Sequence, residues 1–443
     1  MPHILVFGAG KSATVLLDFL QQACTQRGWQ LTIADANGQQ AAARITHPAV
    51  ACAVEVRVED AAQRQQLVEA AGVVVSLLPP HLHLLVAQTC LAAGRSLLTA
   101  SYVDDELRRL APQVQAAGLL FLCEMGLDPG IDHMSACQLL NRIRESGGQV
   151  TSFVSHCGGL IAPASDTNPW HYKISWNPRN IVRAGSGGAV YKQDHRIVHK
   201  SYPEVFDGCP SLTVPGLPPL AWYPNRDSLA YIPLYGLQEA DTFLRTTLRY
   251  APFCAGWKAV VDLGLTAEDD AATVAGCSTY DQWFSRKLQA AGAGSLKDFI
   301  QTQVPADNRA TVTEQFFFLD FDKPKPLPSG AACSADILQR RLEEKLILAP
   351  GDRDLVVMRH EIGYRTPVGE ERLLTSTLVV EGRDHVHTAM ATTVGLPLGI
   401  AAVLLLEGRL PLTGLHIPTH PLIYEPVLRE LEQLGIRFVE QEE

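Results

Sequence analysis

His3-Ile4-Leu5-Val6-Phe7-Gly8-Ala9-Gly10-Lys11-Ser12-Ala13 is the stretch whose reading decides the fold. A short apolar run ends in a G-x-G-x-x-A turn, and Val15, Leu16, Phe19 and Leu20 follow at helical spacing. In such a strand-turn-helix unit Gly8 permits the tight turn and Gly10 lets the backbone approach a pyrophosphate. Small Ala13 lets the helix pack on the strand. A glycine turn of some other α/β protein reads the same way, so the residues that follow decide between the two.

Leu31-Thr32-Ile33-Ala34 reads as the second strand and ends at Asp35, the expected acidic position, with Ala36 beyond it. A carboxylate there accepts both ribose hydroxyls of NAD and repels the 2′-phosphate of NADP, so the cofactor expectation leans to NAD. The alternative is that Asp35 caps a turn before Gly38. Further alternation of apolar runs and helical patterns continues through Leu97 to Thr99, which predicts five or six parallel strands in a doubly wound α/β sheet. Residues at strand ends line the cofactor crevice of such sheets. This nominates Ser76, Leu77 and Leu78, and then Ala100, Ser101 and Tyr102. Tyr102 offers a hydroxyl, or is a partly buried tyrosine with its hydroxyl satisfied.

The 443 residues exceed one compact core, and 47% apolar with 19% charged residues is an ordinary globular composition. A net charge of −10 argues against broad binding to nucleic acid or an anionic membrane, while leaving room for a local basic pocket. The ten cysteines are scattered without C-x-x-C or zinc spacing, so the expectation is reduced thiols, no metal and a cytoplasmic protein. The chain opens directly on a strand pattern, which argues against a secretory leader. Its longest apolar run, Leu398 to Leu406, is too short to span a bilayer.

The pattern changes at Glu124-Met125-Gly126-Leu127-Asp128-Pro129-Gly130-Ile131-Asp132-His133. Pro129 biases Asp128 towards an extended conformation and Gly130 allows a positive φ, placing the Asp128 carboxylate at the end of a strand. Asp132 and His133 more readily begin a helix. Val150 to Cys157 reads as a strand running into Gly158-Gly159, so Cys157 also sits beside glycines at a strand end; its alternative is a small buried hydrophobe. Later segments read as a mixed or antiparallel sheet interrupted by a polar, partly helical stretch. Ala389 to Leu406 and Pro426 to Leu434 read as helices able to return to the first domain.

Lys173 lies among aromatics in Asn168 to Trp176, a pattern suited to a substrate wall. Arg226, Arg245 and Arg249 stand in turn-rich or strand-like settings, and arginine forks recognise carboxylates bidentately. Any one of them alone reads as a solvated ion pair; their combination implies a di- or tricarboxylic substrate.

Five segments in one order resemble saccharopine dehydrogenase of the glutamate-forming type. They are Gly126 to His133, Cys157-Gly158-Gly159, Tyr172 to Trp176, Tyr223 to Ser228 and Thr247 to Tyr250, with Ala389 to Gly395 near the end. The likeness leaves only about 266 to 348 poorly matched. It implies a Rossmann domain over 1–125 completed by 391–443, a mixed α+β substrate and dimerisation domain over 126–265 and 349–390, and a helical insertion over 266–348. It implies oxidation of saccharopine at its secondary amine to an imine that water splits into L-glutamate and 2-aminoadipate 6-semialdehyde, or the reverse, in a homodimer using NAD or NADP. By matching position, Asp128, Cys157 and Tyr102 stand near the reacting amine. Ser101, Gly158, Gly159, Arg226, Arg245 and Thr246 or Thr247 contact substrate. Gly8, Gly10, Lys11, Ser12, Ala13, Asp35, Ala36, Leu77, Leu78, Ala100, Ser101, Leu127, Asp128, Pro129 and Ser175 contact the cofactor.

The chain departs from the family at Asp35-Ala36-Asn37, where the fungal NADP-using members carry a basic residue. It also has His156 for a tyrosine, Ile161 for a proline and Thr246 for a glycine. These changes leave two alternatives open: a carboxyspermidine or opine-type dehydrogenase acting on a related imine, and a non-catalytic NAD-binding sensor.

Overall fold

The computed structural model describes residues 1–443, which form two compact units. The first comprises Met1–Val150, Tyr364–Arg372 and Ser376–Glu443; the second comprises Thr151–Gly363 and Leu373–Thr375.

The first unit is built on a seven-stranded sheet. In chain order its strands are β1 (His3–Phe7), β2 (Gln30–Asp35), β3 (Ala51–Glu55), β4 (Val73–Ser76), β5 (Ser96–Thr99) and β6 (Leu120–Leu122), with Gly414–His416 added beside β6. All pairings are parallel, and the spatial order Gly414–His416, β6, β5, β4, β1, β2, β3 reverses between β1 and β4. Phe7 is in register with both Ala34 and Ser76, so Gly8, Asp35 and Leu77 emerge together at one edge. Ligands bind open parallel sheets at that edge, beside the reversal. Ile4, Leu5, Val6, Val73, Val74 and Val75 are buried without alternation, as strands covered on both faces require.

Helix α1 (Thr14–Arg27) packs on the apolar helix Ala389–Leu406. The approach is close enough that a Cβ on Gly395 would lie 2.9 Å from the Leu16 nitrogen, and one on Gly399 would lie 2.7 Å from Phe19. Ala389–Leu406 is 18 residues long and apolar all round, and 78% of its residues are buried, as in a core helix. Helix Pro421–Gln433 packs on helix Ile131–Glu145, with Asn141 donating to the Tyr424 hydroxyl at 2.8 Å. Held by the C-terminal helix, Ile131–Glu145 lies in the first compact unit, which runs on to Val150.

The second unit carries a mixed sheet. Strand Thr242–Tyr250 lies antiparallel to Leu220–Pro224 on one side and parallel to β7 (Gln149–Ile161) on the other. Trp170, Tyr172, Trp257, Trp283, Phe253, Phe316 and Phe321 fill one core that joins helix Ala251–Asp262 to the helices of 266–348. The helices of 266–348, the stretch expected as a helical insertion, share this core with strands of the sheet and lie in the same compact unit. Of the aromatics expected to wall a substrate, Trp170 and Tyr172 are core residues, while His171 and Trp176 are half-buried. Lys173 among them is buried and paired with Asp352 at 2.7 Å.

Candidate active site

In the first unit the Asp128 turn is held by backbone and by one buried pair. The Glu124 N–H donates to the Ser101 carbonyl at 3.0 Å and the Met125 N–H to the Thr99 carbonyl at 3.1 Å, so the loop after β6 lies on the loop after β5. Buried Glu124, at φ 58°, accepts from the Val103 N–H at 3.1 Å and pairs with His133 Nε2 at 2.8 Å. Gly130 has φ 148°, and a Cβ there would stand 2.0 Å from the Gly126 carbonyl oxygen, so no other residue closes this turn. The Asp128–Pro129 peptide is cis. Asp132, in the first turn of helix Ile131–Glu145, accepts the Gly130 N–H at 2.6 Å. The turn leaves Asp128 half-buried, and the Tyr102 hydroxyl donates to its carboxylate at 3.4 Å. Ser101, Tyr102, Leu127, Asp128 and Pro129 are thereby brought together on two neighbouring loops.

The nucleotide edge is equally specific. Gly8 has φ 104°, and a Cβ there would meet the Leu77 carbonyl oxygen at 2.8 Å, whereas a Cβ on Gly10 would meet nothing within 4 Å. Lys11–Ala13 makes one 3₁₀ turn leading into α1. Asp35 accepts the Ala9 N–H at 2.7 Å and the Asn37 N–H at 2.8 Å, and Gln40 donates to the Ala9 carbonyl at 2.8 Å. Asp35 therefore braces the glycine turn, and each carboxylate oxygen retains acceptor capacity for a ribose hydroxyl. An open, side-chain-free Gly10 next to a fixed carboxylate suits a bound dinucleotide.

In the second unit, strand alternation sorts the candidates. Thr247 is in register with Cys157 and with Tyr223, and Arg245 with Ser155, so Arg245, Thr247, Arg249, Cys157 and Tyr223 share one face. Arg245 is buried with its guanidinium 4.3 Å from the Tyr231 ring centre. Its backbone N–H donates to Ser228 Oγ at 3.0 Å and its carbonyl accepts from Asn225 at 2.8 Å, which brings the next residue, exposed Arg226 at φ 50°, alongside. Arg249 is also buried; it lies over the Tyr172 and Phe253 rings at 5.3 and 5.4 Å and donates to the Leu248 carbonyl. Ser175 is buried in the same unit, next to the Ile174–Ile347 bridge.

Three sequence expectations need correction here. Thr246 lies on the opposite face from Arg245 and Thr247, where its hydroxyl meets His156 Nδ1 at 2.6 Å; of the two threonines, only Thr247 faces with the arginines. Cys157 lies in mid-strand, because β7 runs on to Ile161. Gly158 makes room for the neighbouring strand rather than for a ligand: a Cβ there would fall 2.4 Å from the Leu248 carbonyl oxygen. Burial, reinforced by the Arg359 charge, pushes the His156 imidazole down to about 3. His156 and Thr246, two departures from the family pattern, are thus one hydrogen-bonded pair. Residues missed in the sequence include His83, Glu124, Ser228 and Tyr231. Each acts by holding another site residue, and spacing along the chain carries no signal for that.

Residues 4–122 match the family model described as the saccharopine dehydrogenase NADP binding domain, and residues 126–436 match the saccharopine dehydrogenase C-terminal domain. The chain is 33% identical to the saccharopine dehydrogenase [NADP(+), L-glutamate-forming] of Saccharomyces cerevisiae over 99% of each sequence. It is also 33% identical over 99% of its length to the alpha-aminoadipic semialdehyde synthase of Arabidopsis thaliana, of which it spans 45%, less than half. A solved structure of the apo saccharopine dehydrogenase (L-Glu forming) from Saccharomyces cerevisiae superposes with a TM-score of 0.90 over 100% of both chains at 30% identity. A seven-stranded parallel nucleotide sheet, a mixed second sheet and two family models that together reach from residue 4 to residue 436 agree: the chain belongs to the saccharopine dehydrogenase family.

Proposed function

We propose that the protein is a nicotinamide-dependent oxidoreductase that cleaves saccharopine, with water, into L-glutamate and L-2-aminoadipate 6-semialdehyde, or runs the reverse reductive condensation. The observation that carries this reading is the half-buried Asp128 carboxylate, fixed by Gly126 and Gly130 and touched by the Tyr102 hydroxyl, at the ligand edge of a parallel sheet. The dinucleotide, when bound, supplies the hydride acceptor. Loss of hydride from the carbon beside a secondary amine requires that amine in its neutral form, so Asp128 orients it and takes its proton, with Tyr102 steadying the carboxylate. Water then adds to the imine carbon, a proton returns to the departing nitrogen, and the C–N bond breaks. Arg226 and Arg245, with Thr247, are assigned to the substrate carboxylates, a role that favours an amino-dicarboxylate over a polyamine arm.

Of the two dinucleotides we propose NAD. Asp35 is held by Ala9 and Asn37 and is not free to swing away from a 2′-phosphate. A homodimer in the cytoplasm completes the reading; the ten free cysteines suit a reducing compartment.

Reduced-dinucleotide absorbance, followed with saccharopine and each oxidised cofactor, tests the whole proposal. Turnover is expected, with higher kcat/KM for NAD; no turnover with either cofactor refutes it. Asp35→Ser is expected to shift the preference towards NADP. Asp128→Asn is expected to lower kcat about 10²- to 10⁴-fold, the ordinary range for removing a general base. Unchanged kcat would remove Asp128 from proton transfer.

A further inference from the structure

At the strand-end edge of the first unit, three polar side chains form a chain that the proposed chemistry leaves unused. His83 opens helix His83–Ala93 with its ring turned inward, and the residue is only 2% exposed. Its Nδ1 lies 2.9 Å from Ser76 Oγ and its Nε2 lies 2.7 Å from Ser101 Oγ. Ser76 ends β4 and Ser101 follows β5, so one imidazole ties together two strand ends at the ligand edge. Burial holds the ring down at about 4 against a smaller upward pull from Asp104, so it is neutral near pH 7.

Neutral imidazole has one N–H and one lone pair, so the two serines cannot play the same part. Direction is read from the two lengths: 2.9 Å at Nδ1 is usual for an N–H donating to oxygen, and the shorter 2.7 Å at Nε2 suits a hydroxyl donor. The proton therefore belongs on Nδ1, and Nε2 keeps its lone pair for the Ser101 O–H.

We propose that His83 is a positioning residue: it draws the Ser101 proton towards Nε2 and so presents Ser101 Oγ to the ligand as a hydrogen-bond acceptor for an N–H donor. Two donors have that chemistry, the carboxamide of the nicotinamide ring and the amine of the substrate. Naming the second rests on the function proposed above; the orientation of Ser101 does not.

NMR of the full-length protein labelled with ¹⁵N-histidine reads the tautomer directly. Near pH 7 the expected His83 signature is a protonated Nδ1 and an unprotonated Nε2; the opposite tautomer overturns the proposal. Ligand binding is read in His83→Leu, Ser101→Ala and the double variant. Each single change is expected to weaken the affected ligand about tenfold, and the double variant no more than Ser101→Ala alone. A raised dissociation constant for the reduced dinucleotide assigns the donor to the carboxamide. A raised saccharopine KM with unchanged dinucleotide binding assigns it to the amine. Full additivity of the two changes, or no effect on either ligand, overturns the proposal. His83→Gln, which can still offer an acceptor to Ser101, is expected to recover part of the loss. If the wild-type protein fails to turn over saccharopine, the proposed function falls, while the tautomer and dinucleotide measurements still decide the role of His83.

Discussion

Gly10 in the first unit and Gly158 in the second both stand in glycine motifs beside candidate site residues, and they lack a side chain for opposite reasons. Around Gly10, at φ −67°, there is open space; at Gly158 the neighbouring strand already occupies the place of a Cβ. The same contrast runs through both units. The first presents Ser101, Tyr102 and Asp128 from turns beyond strand ends, where consecutive residues reach one place. The second presents Cys157, Arg245 and Thr247 from within strands, where only every second residue faces the same way.

The largest effect that would sharpen this comparison is at Arg245. Arg245→Met is expected to raise the saccharopine KM about 10- to 100-fold, since hydrogen bonds to charged groups contribute about 1.5–3 kcal/mol. Thr246→Val, one residue away on the opposite face, is expected to leave KM nearly unchanged. It should lower stability by about 1 kcal/mol, through the hydroxyl lost by His156. Steady-state kinetics beside thermal melts separates the two, and equal KM effects would break the alternation argument.

The glycines come next. Gly158→Ala is expected to destabilise the fold by about 1–3 kcal/mol, because the strand Thr242–Tyr250 must move to admit the methyl group. Gly10→Ala should melt like the wild type and bind dinucleotide about tenfold more weakly, losing only close approach to the pyrophosphate. Denaturant unfolding and a binding titration would expose a reversal.

The smallest effect is one of acid stability. His156 is held near 3 when folded and titrates near 6.5 when unfolded, so the unfolded chain binds the extra proton. Its contribution to stability is present above about pH 6.5 and is lost as pH falls towards 3, at a slope of up to about 1.4 kcal/mol per pH unit. His156→Phe should flatten that limb in urea unfolding measured from pH 7 to pH 5. A slope as steep as that of the wild type would show that His156 is charged in the folded protein.

Much of the first unit is legible in the chain itself. Gly8, Gly10 and Ala13 after an apolar run, Asp35 after the next, and Gly126, Asp128 and Gly130 together are contiguous signals, because backbone geometry at turns is a local property. The second unit was legible as strands but not as faces. Cys157 read as a strand end because two glycines follow it, yet the strand continues to Ile161, and up to Cys157 it pairs with a strand whose partner residues lie 90 positions further along.

The sequence by itself therefore determined the parallel nucleotide sheet, the turn carrying Asp128 and the family, since hydrophobic period and turn chemistry act over a few residues. Tertiary structure alone decided that Thr247 rather than Thr246 faces with Arg245, and that His156 pairs with Thr246. It also placed helix Ile131–Glu145 in the first unit and set His83 between Ser76 and Ser101. Those outcomes depend on strand register and packing between distant segments, and neither is encoded in the spacing of neighbouring residues.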